Sequence, residues 1–192
     1  MIDKISIKNF EAIQSATIKL SDLSVFVGNN GSGKSSVIEA LQTLQNVLLH
    51  GLSTGFYERW SGMEHIRNTY ANAKVSGKKL FENNIEIEIQ GKIESDKYKY
   101  KVCFNTNRSG DLYLITHESL VQGKTEVFKS EVIDEKGATE FFINNEPLPT
   151  GRIANNLVLS DKNLISQLPF AIKFGNYISS WQFLSLEPER MY

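Results

Sequence analysis

Ile5 and Ile7 alternate with polar neighbours in KISIK (residues 4–8), and Ile18 and Leu20 do the same in ATIKL (16–20). A period of two puts such residues on one face of an extended chain, so the pattern predicts two antiparallel strands. The next run, LSVFV (23–27), is almost wholly apolar and stops at Gly28. A short run of that kind reads as a buried central strand. The period then changes. Val37, Ile38, Leu41, Leu44, Val47 and Leu48 recur at helical spacing and predict a helix from about Lys34 to Leu49. Gly51, Gly55 and Gly62 break up the next segment.

From about 85 to 144 the period returns to two. NIEIEIQG sets Ile85, Ile87 and Ile89 against Glu86 and Glu88, and KYKYKVCF sets Lys97, Lys99 and Lys101 against Tyr98, Tyr100, Val102 and Phe104. DLYLITHESL, EVFKSEVID and EFFINN come after them, separated by turn-rich pieces, and predict a meander of about five antiparallel strands. The last stretch is helical again. Asp161 is a cap candidate, and Pro169 suits a first helical position ahead of Phe170, Phe174, Ile178 and Trp181. QFLSL (182–186) reads as a final strand stopped by Pro188. The pattern predicts an α/β fold with α+β character. It divides into a core over 1–50, an antiparallel insertion over 85–144, and a helix and strand returning to the core over 161–192.

Composition narrows this little. A chain of 192 residues with 41% hydrophobic content can bury one substantial core. The net charge of −1 gives no sign of a polyanion partner. A single cysteine, Cys103, rules out an internal disulfide, and His50, His65 and His117 show no metal-ligand spacing. The charged N-terminus is unlike a signal peptide and no apolar run reaches the length of a membrane span, so a soluble, cytoplasmic chain is expected. Lys97, Lys99 and Lys101 interleave with Tyr98 and Tyr100, but in a strand the two sets face opposite ways. A solvated face over a buried one is the favoured reading, ahead of a nucleic-acid-tracking strand.

The chemistry lies at Gly28-Asn-Asn-Gly-Ser-Gly33-Lys34-Ser35, which fits G-x-x-x-x-G-K-[ST] without a gap. The motif comes after a predicted strand and opens a predicted helix, the context in which it binds a nucleotide. Small residues let successive backbone N–H groups wrap a phosphate, and the helix N-terminus adds its positive dipole end. Asn30, Gly31, Ser32, Gly33, Lys34, Ser35 and Ser36 are therefore the binding candidates, with ATP and Mg2+ as the expected ligands. Lys34 is expected on the β- and γ-phosphates, and Ser35 on Mg2+. A second Gly-Lys-Thr, in QGKTE (122–126), has Glu118 where the first glycine belongs and reads as a hairpin turn.

Hydrolysis also needs a carboxylate near the metal and a group that orients water. In EVIDEKG, Asp134 and Glu135 come after only two apolar residues and precede Lys136-Gly137, which favours a turn. In NLVLSD, Ser160 interrupts the run before Asp161, which favours a helix cap. No Asn-Lys-x-Asp base-reading motif is present. The chain offers a nucleotide cradle without a convincing catalytic acid. This leaves open a lobe of a larger ATPase, a non-hydrolysing nucleotide switch, or a self-contained phosphotransferase using Asp134.

ISIKNFEAIQSATIKLSDLSVFVGNNGSGKSSVIEAL resembles the start of the ABC-type ATPase heads of the RecF, SMC and OLD group, often grouped as AAA-family ATPases. Asn9-Phe10, Gly28 to Ser35 and Glu39-Ala40-Leu41 match in order and spacing. LITHESL, with Glu118, is similar to the antiparallel lobe of that group, and WQFLSLEPERMY to the strand and Pro-x-x-Met element before the second half of such heads. The resemblance implies a P-loop NTPase half-domain, an N-terminal lobe that stops before the signature motif, the Asp-Glu strand and the switch His. It further implies a parent protein in which two heads close on ATP as a homodimer, in DNA repair, chromosome handling or defence against phage. Two positions depart from the pattern. Glu11 stands where the group often has Arg or Lys, and Gln182 does not align firmly with a Gln-loop residue.

Overall fold

The computed structural model of the chain describes residues 1–72, 81–107, 110–149, 151 and 154–184. Among these, the two period-two regions join into one eight-stranded sheet. The N-terminal hairpin is β1 (Ile2–Phe10) and β2 (Ile13–Lys19). The meander is β3 (Ile85–Ile93), β4 (Asp96–Thr106), β5 (Tyr113–Gln122), β6 (Thr125–Val132), β7 (Thr139–Ile143) and β8 (Glu146–Leu148). The order is β2-β1-β3-β4-β5-β6-β7-β8, and every neighbouring pair is antiparallel. The meander thus continues the N-terminal hairpin through the β1–β3 pair, which aligns Ile5 with Ile89 and Ile7 with Ile87. It gains one strand over the expected five because Asn144 and Asn145, both in the left-handed region (φ 51 and 67), make the tight turn into β8.

Alternation decides which face is covered. Ile5, Ile7, Ile85, Ile87, Ile89, Tyr100, Val102 and Phe104 are fully buried on the inner face. Against that face lie α1 (Lys34–His50), α2 (Leu52–Trp60) and α6 (Pro169–Ser179). Phe174 of α6 packs on Tyr98 and Tyr100 at ring separations of 4.9 and 5.0 Å, and Phe56 of α2 meets Phe104 edge-on at 5.2 Å. Each such ring contributes roughly 1.5–3 kcal/mol by burial alone. α2 approaches α1 closely at Gly55, where a Cβ would lie 2.7 Å from a Val47 methyl. Gln45 of α1 fastens the C-terminal end of α6 together with Trp181. Its Nε2 donates to the carbonyls of Ile178, Ser179 and Trp181 at 3.0, 3.2 and 2.9 Å.

The outer face is the solvated one. Lys99 pairs with Glu88 at 3.2 Å, and Lys101 with Glu86 at 3.1 Å, while Tyr98 and Tyr100 point into the core. Lys99 and Lys101 carry their counter-charges on the neighbouring strand, as the solvated-face reading expects. The expected caps also form. Asp161 accepts from the N–H groups of Asn163 and Leu164 at the start of α5 (Lys162–Ile165), and Pro169 opens α6.

The LSVFV expectation is not met. Residues 23–27 run without strand pairing, and Leu23, Val25 and Val27 are 82%, 75% and 90% exposed. An apolar run becomes a buried strand only when neighbours hydrogen-bond its edges and cover its faces. Among the described residues nothing does so, although the intervening Phe26 packs partly on the core. Gln182 to Leu184 of the expected last strand are likewise unpaired, with Leu184 88% exposed. The remainder of that strand and the Pro-x-x-Met element lie outside the described residues.

Candidate functional site

The glycine-rich loop runs from Gly28 into the first turn of α1, and local backbone demands explain its composition. Gly31 and Gly33 sit at φ 78 and 85, the left-handed region open to glycine at no steric cost. Gly33 is the residue before the helix, and no side chain caps its first turn. The N–H groups that a serine or aspartate cap would occupy are therefore left facing the loop. Gly33 also has a packing reason to lack a side chain, since a Cβ there would lie 3.2 Å from Ile13 Cγ1 and 4.0 Å from Ala12 Cβ. The β1–β2 turn thus forms one wall beside the loop.

Lys34 braces the loop from within. Its Nζ donates to the carbonyls of Gly28 and Asn29 at 2.8 and 2.6 Å and reaches Ser32 Oγ at 3.3 Å. The ammonium is held over the loop by neutral acceptors, which an anionic ligand oxygen could replace with a stronger, charge-assisted bond. Asn30, Gly31, Ser32 and Ser35 are exposed, Gly33 and Lys34 half-buried. Ser36 is 5% exposed, so what it can offer a ligand is its main-chain N–H in the first helical turn. All seven candidate residues are brought together. The residues fit a nucleoside triphosphate with Mg2+: open helix-start donors, a lysine over the loop, and an exposed hydroxyl at Ser35.

The candidate acids are committed elsewhere. Asp134 Oδ1 accepts from the N–H groups of Lys136 and Ala138, both at 2.9 Å, in the turn after β6. Asp161 caps α5. Gly123 and Lys124 make the β5–β6 turn, so the second Gly-Lys-Thr is a hairpin tip.

Sequence reasoning gave three residues little or no weight. Glu118 is fully buried. It accepts from the Tyr100 hydroxyl at 3.0 Å and from Val158 and Leu159 N–H at 2.5 and 3.3 Å, which ties the short 3-10 turn Val158–Ser160 to the sheet. Its signal was available: it lies two residues before Leu120 on the inward face of β5, opposite Val102. His117, on the outer face, bridges Glu131 at 3.2 Å and Ser119 at 3.0 Å. Burial pulls its pKa below the ordinary histidine value despite the hydrogen bond with Glu131. Arg67 donates to the Asn83 carbonyl at 2.5 Å and to Asn105 Oδ1 at 2.7 Å, and burial lowers its pKa. It anchors the segment of α3 (Met63–Ile66) and α4 (Thr69–Asn72) beside the β1–β2 turn, where Arg67 and Phe10 form an isolated bridge.

No helix among the described residues is long and apolar enough to cross a membrane. Comparison with curated proteins gave no match. A family model described as an AAA ATPase domain matches residues 1–165, which takes in the glycine-rich loop, the helices from α1 to α5 and the whole sheet. With the loop, its lysine and its open helix start in the matched region, the chain belongs to the AAA ATPase domain family.

Proposed function

We propose that this chain is the ATP-binding N-terminal lobe of an ABC-type ATPase head of the RecF, SMC and OLD kind. Asn30 to Ser36 hold the triphosphate, with Lys34 on the β- and γ-phosphates and Ser35 as a Mg2+ ligand. Bound Mg2+ would neutralise the charge that develops on the phosphates. The signature motif and the acid-bearing strand come from a further segment, and two heads close on ATP to serve a DNA-linked process. The observation that carries this reading is a glycine-rich loop opening α1 beneath Lys34, in a chain whose candidate acids, Asp134 and Asp161, are engaged in a turn and a cap. The exposed stripe Leu23, Val25 and Val27 supports it, because a run of that composition fits a sheet interior and would be covered by added strands.

Phosphate release from Mg·ATP tests the reading. The chain by itself is expected to bind without turnover, and Asp134→Ala to leave binding unchanged. Sustained release abolished by Asp134→Ala would replace the lobe with a self-contained phosphotransferase.

A further inference from the structure

His117 and Ser119 lie two residues apart on β5, so both stand on the outer face of the sheet. The β5–β6 register sets Glu131 directly opposite His117. The three side chains form a chain of bonds: Ser119 Oγ is 3.0 Å from His117 Nε2, and His117 Nδ1 is 3.2 Å from Glu131 Oε1. Lys129 Nζ holds the other carboxylate oxygen at 2.9 Å. An ionised carboxylate can only accept, so Nδ1 carries the ring proton. Nε2 is left with its lone pair and accepts from the Ser119 hydroxyl. Both protonation states suit this arrangement. Burial, opposed by the Glu131 bond, pulls the His117 pKa below 6.5, so the ring is neutral at neutral pH. Glu131 is partly buried, yet its bonds with Lys129 and His117 hold its pKa below 4.5, so it is ionised there.

A serine hydroxyl bonded to a neutral, oriented imidazole is an activated nucleophile. Lys101 on β4 and Lys129 on β6 are the register partners of Ser119, one on each side. Directly opposite side chains are near neighbours, so the negative charge on an attacked carbonyl oxygen would develop between two cations. The site is also reachable, since the His117 and Glu131 side chains keep 23% and 41% of their surface open. Cys103, opposite His117 on β4, is not the nucleophile: it is 3% exposed, and burial pushes its thiol up to about 12. We propose that Ser119, His117 and Glu131 form an acyl-transfer site for small carboxylic esters, built without any residue of the glycine-rich loop. Ser119 Oγ bonds to the carbonyl carbon while its proton passes to His117 Nε2. The bond from that carbon to the alcohol oxygen breaks, and the alcohol leaves with the proton from Nε2. Water then attacks the acyl group, giving its proton to Nε2, and the carboxylic acid leaves as Ser119 Oγ takes that proton back. Glu131 touches no reacting atom and is the positioning residue.

The test incubates the whole chain with p-nitrophenyl acetate, follows p-nitrophenol release, and reads acetyl groups on its peptides by mass spectrometry. Ser6 is the internal control: it shares the outer face, but its hydroxyl bonds to Thr17 at 3.0 Å and not to a histidine. Ser119 should be acetylated about a hundredfold faster than Ser6, and His117→Gln should remove that advantage. The rate in the unaltered chain should rise with pH through the folded His117 value, below 6.5, and then level off. Cys103 and Lys101 from β4 and Glu131 and Lys129 from β6 face that ring. With Glu131→Gln the two lysines remain, so the rate should drop and the inflection should move to lower pH. Release lost in Ser119→Ala without accumulated acetyl would also support the site, as fast deacylation. Acetylation of Ser119 no faster than Ser6, with release unchanged in Ser119→Ala, would overturn it. So would a Ser119-dependent rate that ignores His117→Gln. A rate independent of pH between about 5 and 8 in the unaltered chain would overturn it without any variant having to fold.

Discussion

Replacing Glu118 by alanine tests how the sheet holds the segment that leads into α5 and α6. The carboxylate is fully buried and receives Tyr100 Oη at 3.0 Å, Val158 N–H at 2.5 Å and Leu159 N–H at 3.3 Å. Glu118→Ala strips an acceptor from all three. Each orphaned buried donor costs about 1–3 kcal/mol. The long third bond contributes least, and removing a buried carboxylate returns part of its desolvation cost. The net loss is about 3 kcal/mol, a large share of the roughly 5–15 kcal/mol that holds a domain together. With a urea slope of about 1–3 kcal/mol/M, the unfolding midpoint should fall by at least about 1 M. Glu118→Gln should fall in between, because its amide keeps one acceptor but sets an NH2 group against one of the donors. Hydrogen exchange at the Val158 amide should accelerate in both variants. A midpoint shift below about 0.3 M for Glu118→Ala, with Val158 still protected, would refute the anchor.

Gly33→Ala and Gly31→Ala separate backbone strain from crowding in the loop. Both residues are left-handed, which costs a side chain about 1–2 kcal/mol. Only Gly33 also meets Ile13 at 3.2 Å, so Gly33→Ala should lose more thermal stability and more ATP affinity than Gly31→Ala. Equal losses would contradict the wall formed by the β1–β2 turn. His117 has its folded pKa below the ordinary 6.5, chiefly through burial. The unfolded chain therefore takes up the proton first, and the stability this residue contributes is full above pH 6.5 and falls as pH drops from there through the folded value. Glu131, held below 4.5 by Lys129 and His117 against its own partial burial, adds a second loss at lower pH. Urea midpoints at about pH 7 and about pH 5.5 should differ less in His117→Gln than in the unaltered chain, and an unchanged difference would dismiss the histidine as its source.

Much of the scaffold was legible because its signals are local. Alternation in KISIK, NIEIEIQG and KYKYKVCF set both the strands and their buried faces, and Asp161 and Pro169 marked helix starts by their own chemistry. The glycine-rich turn that opens α1 was legible for the same reason: Gly31 and Gly33 set it by their own left-handed backbone. LSVFV shows the limit. Its composition asks for neighbours on both edges, yet no sequence pattern says whether they are at hand, and Leu23, Val25 and Val27 stand exposed. Glu118 and Gln45 reach main-chain partners at least 40 and 133 residues away, and Asn68 reaches Glu11 across 57 residues. Such pairings come from the register of the sheet and the packing of the helices on it, and cannot be read from either residue alone.

Calorimetric titration of Mg·ATP into the chain, with Lys34→Ala beside it, bears most directly on the central claim. Lys34 rests on the Gly28 and Asn29 carbonyls, and the proposed function has it exchange them for phosphate oxygens. A charge-assisted bond of that kind is worth about 1.5–3 kcal/mol, so the account predicts saturable binding weakened by about tenfold or more in Lys34→Ala. Binding of equal strength in Lys34→Ala, or none in the unaltered chain, would contradict it.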